Sequence, residues 1–205
     1  MSLNHKPTAR RKFRRAARTA TTHLPPGLPG LVYLTDPARR ADPAATVRQL
    51  PPGSGVIYRH FGAPERADMA ALLAALSARR GLVFLIGGDP DLARSVGADG
   101  VHWPEVRRLE ARRWAGAFAL QTVSAHSREA LSQAARQGFD AALLSTAFPS
   151  ASPSAGVARG AVRLRILARQ ARLPVYGLGG ITAANADRLS PHVGLAAIGG
   201  LDALA

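Results

Sequence analysis

The sequence predicts a small (β/α)8 TIM barrel in the α/β class, with its eighth helix missing. Three observations predict it. Eight short apolar runs alternate with seven helical patterns, which implies a parallel sheet covered by helices. The last two runs each end in a glycine pair, Gly179-Gly180 and Gly199-Gly200. The 205 residues suit one medium-sized core and not two.

The strands are expected at 31–34, 56–58, 82–86, 100–103, 118–123, 141–144, 175–178 and 194–198. Helices are expected at 43–50, 65–79, 90–96, 105–113, 127–137, 159–171 and 182–189. The second is the clearest, because Met69, Leu72, Leu73 and Leu76 follow i, i+3, i+4, i+7. An open doubly wound sheet would carry G-x-G-x-x-G after the first strand, but that position reads Leu34-Thr-Asp-Pro-Ala. Strand eight lies close to Ala205, so the barrel seam needs another cover. A partner subunit, making a homo-oligomer, and the N-terminal segment are the two options.

Ahead of the barrel, assigned to 31–205, the segment 24–30 reads Leu-Pro-Pro-Gly-Leu-Pro-Gly, a stiff linker. Residues 1–23 carry Lys6, Arg10, Arg11, Lys12, Arg14, Arg15 and Arg18 and no acid, half of the formal charge of +14. The expectation is a solvated, poorly ordered basic tail, with a nucleic-acid arm as the rival. Nothing downstream resembles a nucleic-acid module, so a nucleic-acid partner is not expected. The absence of cysteine excludes disulfides and thiolate metal sites. No apolar stretch reaches the length of a membrane span, and the N-terminus lacks the apolar core of a secretory signal. The expected location is the cytoplasm, with no membrane partner. From Phe13 onward there is no lysine, so the folded part does its chemistry without an ammonium group.

Glycines at the ends of strands seven and eight expose backbone N–H groups where barrels of this class often hold phosphate. A helix starting at Ile181-Thr182 would add free amides. Gly179, Gly180, Gly199 and Gly200 are therefore expected to cradle a phosphate monoester. The alternative is that they only relieve crowding at two tight turns.

Several further pieces appear in order: Tyr33-Leu-Thr-Asp36, Gly97-Ala-Asp-Gly-Val-His102, Ser124-Ala-His126-Ser127, Phe148-Pro149 and Gly179-Gly-Ile-Thr182. With these, residues 31 to 201 resemble the thiamine phosphate synthase and TenI family of barrels. The resemblance implies an enzyme that joins a pyrimidine diphosphate to a thiazole phosphate or, in the TenI branch, aromatises the thiazole. The implied ligands are thus a phosphorylated thiazole and, for a synthase, a pyrimidine diphosphate. A third alternative is a paralogue that binds such a ligand without turnover.

The pattern also departs from that family. Gln-x-Arg-x-Lys becomes Ile57-Tyr-Arg-His-Phe61, which keeps only Arg59, a candidate phosphate clamp. Asn-Asp becomes Gly88-Asp89, and the second magnesium-ligating acid is replaced by Arg107, Glu105 lying two positions too early. The implied Mg2+ would rest on Asp89 alone, and a magnesium site normally takes one or two carboxylates plus phosphate oxygens. The lysine of the strand-six loop is absent from 147–154. His126 is implied to be the proton-transfer residue, with Ser124 two residues before it and Arg59 completing the catalytic set. Its bland alternative is a surface histidine at a helix start. His102 is expected to pack in the barrel or to hold a neighbour by hydrogen bond.

Overall fold

Eight strands close into a parallel barrel in chain order, β8 pairing back onto β1. The structure is a computed structural model that describes residues 6–152 and 155–199. The strands are β1 (Leu31–Leu34), β2 (Gly55–Tyr58), β3 (Val83–Gly87), β4 (Gly100–Trp103), β5 (Leu120–Ala125), β6 (Ala141–Ser145), β7 (Val175–Leu178) and β8 (Gly194–Ala197). Helices α1 (Lys6–Thr21), α2 (Pro43–Val47), α3 (Arg66–Arg80), α4 (Pro90–Ser95), α5 (Arg128–Arg136) and α6 (Gly160–Gln170) accompany them.

Period-two alternation divides the core into two layers. Leu31 and Tyr33 join the layer beneath the helices, with Val56, Tyr58, Val101, Trp103, Val123 and Ala125. Val32, Leu34, Ile57, Leu85, Leu143 and Tyr176 fill the barrel interior. On β4 and β5 the interior positions beyond Gly100 and Leu120 fall instead to His102, Thr122 and Ser124, so that the interior turns polar towards the C-terminal ends of the strands. The opposite end is plugged by Tyr176, whose hydroxyl donates to the Pro29 carbonyl at 2.7 Å. Gly194 makes room for that ring, since a Cβ there would lie 2.3 Å from it.

The N-terminal segment differs from the poorly ordered tail expected at 1–23. Residues 6–21 form α1, and Phe13, Ala16, Ala17 and Ala20 are buried along one face. Their i, i+3, i+4, i+7 spacing makes an apolar stripe, while Arg11, Lys12, Arg15 and Arg18 stay exposed. Helix α1 packs on β1, β8 and the 186–188 segment, covering the seam where an eighth helix would lie. The fit is close: a Cβ on Gly30 would come within 2.1 Å of the Ala17 carbonyl. Burial of the stripe orders the helix, and the charge is confined to its outer face. Of the two options for the seam, the chain uses its own N-terminus.

Two expected helices form only 3-10 turns. The 105–113 segment forms two 3-10 turns, Glu105–Arg107 and Glu110–Trp114. The 182–189 segment keeps only the 3-10 turn Ala186–Arg188, and no helix starts at Ile181-Thr182. Asn185 explains the latter, because its Oδ1 accepts from Thr182 N at 2.8 Å and its Nδ2 donates to Gly180 O at 2.9 Å. The side chain closes the turn on itself by pairing Thr182 N and Gly180 O locally. Among the described residues no helix is long and apolar enough to cross a membrane.

Candidate active site

At the C-terminal ends of the strands a cavity of about 310 Å3 brings together Arg59, Ser124, His126, Gly179, Gly180 and Gly199. Gly200 lies outside the described residues. Arg39, from the loop after β1, also lines the cavity and was not anticipated. No carboxylate lines it among the described residues, so two guanidiniums face a space without internal neutralisation. Asp36 pairs with Arg39 at 3.6 Å behind this lining.

The glycine turn has free donors. Within the described residues the backbone N–H groups of Gly179, Gly180 and Ile181 have no intramolecular acceptor, whereas the Gly179 carbonyl accepts from Phe148 N at 3.0 Å. Gly179 and Gly180 have φ of 100° and 63°, a conformation that exposes successive amides and disfavours any side chain. Crowding contributes as well. A Cβ on Gly180 would lie 2.4 Å from the Pro149 carbonyl and 2.6 Å from that of Phe148. The tight-turn reading is therefore met at Gly180, where crowding alone already requires glycine.

Arg59 is anchored through its Nε to the Thr35 carbonyl at 3.2 Å, and its amide donates to Thr35 Oγ1 at 2.8 Å. Burial pulls its guanidinium below the ordinary arginine range, with Asp36 opposing the shift. An arginine so placed stays charged but poorly hydrated, which favours an anionic partner.

His126 sits just past β5, where Ser127 caps α5 by accepting from Ala130 N at 3.0 Å. The imidazole takes no part in that cap. Its Nδ1 lies 2.7 Å from Glu105 Oε2, which leaves Nε2 as the ring nitrogen available to a ligand. Arg159 also donates to the His126 carbonyl, tying the loops after β5 and β6 together. The role of Glu105 escaped sequence reasoning because its partner is 21 residues away, at the end of the next strand.

Beneath Ser124 lies a buried hydrogen-bonded row. His102 Nε2 is 2.9 Å from Ser124 Oγ, and its Nδ1 is 2.9 Å from Thr122 Oγ1. Burial, reinforced by Arg59, pulls the His102 pKa down to about 3, so the ring is neutral near pH 7.

Asp89 does not join this group. Its Oδ1 accepts from Leu92 N at 3.0 Å as the N-cap of α4, and its Oδ2 pairs with Arg66 Nη1 at 2.5 Å. Arg107, where the resemblance implies a second acid, donates from Nη1 to the Gly88 carbonyl at 2.7 Å and pairs with Glu110 at 2.6 Å. A hard dication needs free carboxylate oxygens, and both oxygens of Asp89 are engaged beside two guanidiniums. The residues present therefore do not fit Mg2+ at Asp89, contrary to its expected part as a metal ligand. Nor do the described residues contain any cluster of three His, Asp or Glu side chains that could hold a metal.

Comparison with known proteins adds a family to this geometry. A thiamine-phosphate synthase of Roseiflexus castenholzii is 38% identical over 99 residues, covering 47% of this chain and 43% of that protein. The chain spans about half the length of the curated relatives it matches. The fold matches a thiamine phosphate pyrophosphorylase from Pyrococcus furiosus with a TM-score of 0.69 at 23% identity, covering 85% of this chain and 89% of that one. It also matches the YdjI aldolase of Escherichia coli K12, with a TM-score of 0.60 at 10% identity over 91% of this chain and 80% of that one, a likeness of fold alone. The sequence family described as thiamine monophosphate synthase matches residues 32–203, nearly the whole barrel, and the chain belongs to that family.

Proposed function

We propose that this barrel binds a thiazole phosphate and acts on it by proton transfer, within a thiamine-phosphate-synthase-like framework. The observation that carries the reading is the coincidence, in one cavity, of unpaired amides at Gly179, Gly180 and Ile181 with Arg59, Ser124 and His126. Backbone N–H groups and a desolvated guanidinium suit a phosphate dianion, with Arg39 adding charge and Gly199 extending the cradle. The thiazole ring would then lie towards Ser124 and His126.

Proton transfer suits the groups that remain. An imidazole oriented by a carboxylate is a general acid/base at neutral pH. Joining the thiazole to a pyrimidine diphosphate needs a strongly neutralised leaving group. The lysine-free barrel lacks two of the family's cations there, and Asp89 is held by Arg66. Synthase coupling is the second reading, favoured by family membership and by the Arg39 and Arg59 pair, which could hold a diphosphate without metal. A binding protein without turnover is the third.

Incubating the protein with thiazole phosphate isomers, with and without the pyrimidine diphosphate, separates the readings. Isomer interconversion without pyrophosphate release supports proton transfer. Brisk pyrophosphate release supports coupling, and saturable binding with neither product supports the inactive paralogue.

A further inference from the structure

The row from Thr122 through His102 to Ser124 is buried in the barrel interior and ends at the cavity wall. Thr122 and His102 are 3% exposed, whereas Ser124 lines the cavity. Two proton arrangements satisfy the two 2.9 Å contacts. If Nδ1 carries the proton, it donates to Thr122, and Ser124 donates inward to Nε2. If Nε2 carries it, Thr122 donates to Nδ1, Nε2 donates to Ser124, and the Ser124 hydrogen is free.

Thr122 decides between them. Among the described residues its hydroxyl has His102 Nδ1 as its sole partner. In the first arrangement the Thr122 hydrogen would be buried without an acceptor, which is costly. In the second every donor in the row is used, and the remaining one points to the cavity.

We infer that His102 is a positioning residue held as the Nε2–H tautomer, so that Ser124 presents its O–H as a hydrogen-bond donor to the bound ligand. The ligand atom opposite Ser124 is then an acceptor, a ring nitrogen or an oxygen, and not an N–H. Ligands with a donor at that point meet a second donor and are excluded. A neutral ring is required for this arrangement, and the burial of His102 keeps it neutral near pH 7. The inference takes the cavity as the ligand site, but the state of His102 can be read without any ligand.

Long-range 15N–1H correlation of the imidazole nitrogens in the labelled full chain reads the tautomer directly. The expected result is Nε2–H, unchanged from pH 5.5 to 8. An Nδ1–H or protonated ring in that range would overturn the proposal. The second measurement is affinity for thiazole phosphate. His102→Gln places an amide donor near the Nε2 position and should keep affinity within about threefold, while Ser124→Ala should lose about three- to tenfold, the usual worth of one neutral hydrogen bond. Unchanged affinity in Ser124→Ala would remove the donor role. Failure of the wild-type chain to bind thiazole phosphate would defeat the ligand assignment alone, leaving the tautomer result to judge His102.

Discussion

Glu105 holds His126 by a 2.7 Å contact between its Oε2 and Nδ1, joining the loop after β4 to the loop after β5. The carboxylate fixes the ring orientation, and the imidazole, which lines the cavity, keeps Nε2 available for a ligand. His126→Asn should preserve thiazole phosphate binding and reduce proton transfer about 10²–10⁴-fold, the usual contribution of a general acid/base. Glu105→Gln should lower the rate less, again with little change in binding. Isomer interconversion followed by NMR gives the rates, and a full rate in His126→Asn would remove the histidine from the chemistry.

Divalent metal should be dispensable for ligand binding. Calorimetric titration of the free chain should give no saturable Mg2+ or Mn2+ site at about 1 mM, because Asp89 is occupied by Arg66 and the α4 amide. Arg107→Asp should raise metal affinity by supplying a second carboxylate near Asp89. Tight Mn2+ binding by the wild-type chain that is abolished by Asp89→Asn would reverse this reading and favour coupling.

The N-terminal helix should contribute to stability as part of the barrel. Phe13 is fully buried, and Phe13→Ala should cost about 3–5 kcal/mol, the range for large core truncations. Urea unfolding at constant m-value checks this, and a change below about 1 kcal/mol would mean that the seam is covered otherwise.

Stability should fall in mild acid. His102 has a folded pKa of about 3 against an unfolded value near 6.5, so between these the unfolded chain binds the extra proton. The contribution is complete above about pH 6.5 and is lost progressively as pH falls towards 3. His60, also pulled down by burial, acts in the same direction. Urea midpoints at pH 7 and 5 should differ, and His102→Gln should shrink the difference. An equal difference in that variant would place the acid sensitivity elsewhere.

Much of this architecture is legible in the sequence, for identifiable reasons. The 31–34, 100–103 and 175–178 strands match β1, β4 and β7 because apolar runs bounded by glycine, proline or polar residues have little freedom in register. The α1 stripe of Phe13, Ala16, Ala17 and Ala20 is equally periodic, but the surrounding charge masks it. The 182–189 helix failed because Asn185 offers the turn its own side chain, a local competition that apolar spacing does not report. At the site, the strand-end residues Arg59, Ser124, His126, Gly179 and Gly180 could be placed by element order alone. Arg39, the Glu105–His126 pair and the Arg66–Asp89 pair depend on neighbouring loops meeting in space, which no linear spacing encodes.

The glycine turn sets a limit on mutational tests. Gly180 combines φ of 63° with a would-be Cβ 2.4 Å from Pro149 O, so Gly180→Val should shift the loop after β6 as well as block the amides. Loss of binding accompanied by a lower melting temperature is the expected outcome. The barrel would not be left undisturbed, as a purely ligand-facing glycine would allow. Normal stability with intact affinity would contradict both roles.

In the proposed complex the thiazole phosphate is anchored on the backbone of Gly179 and Gly180. A crystal structure of the chain with that ligand tests it most directly. The phosphate oxygens should lie within hydrogen-bond distance of the Gly179, Gly180 and Ile181 amides, with Arg59 beside them and the ring against Ser124 and His126. A phosphate bound instead at Arg66 and Arg107, with the glycine amides unengaged, would contradict it.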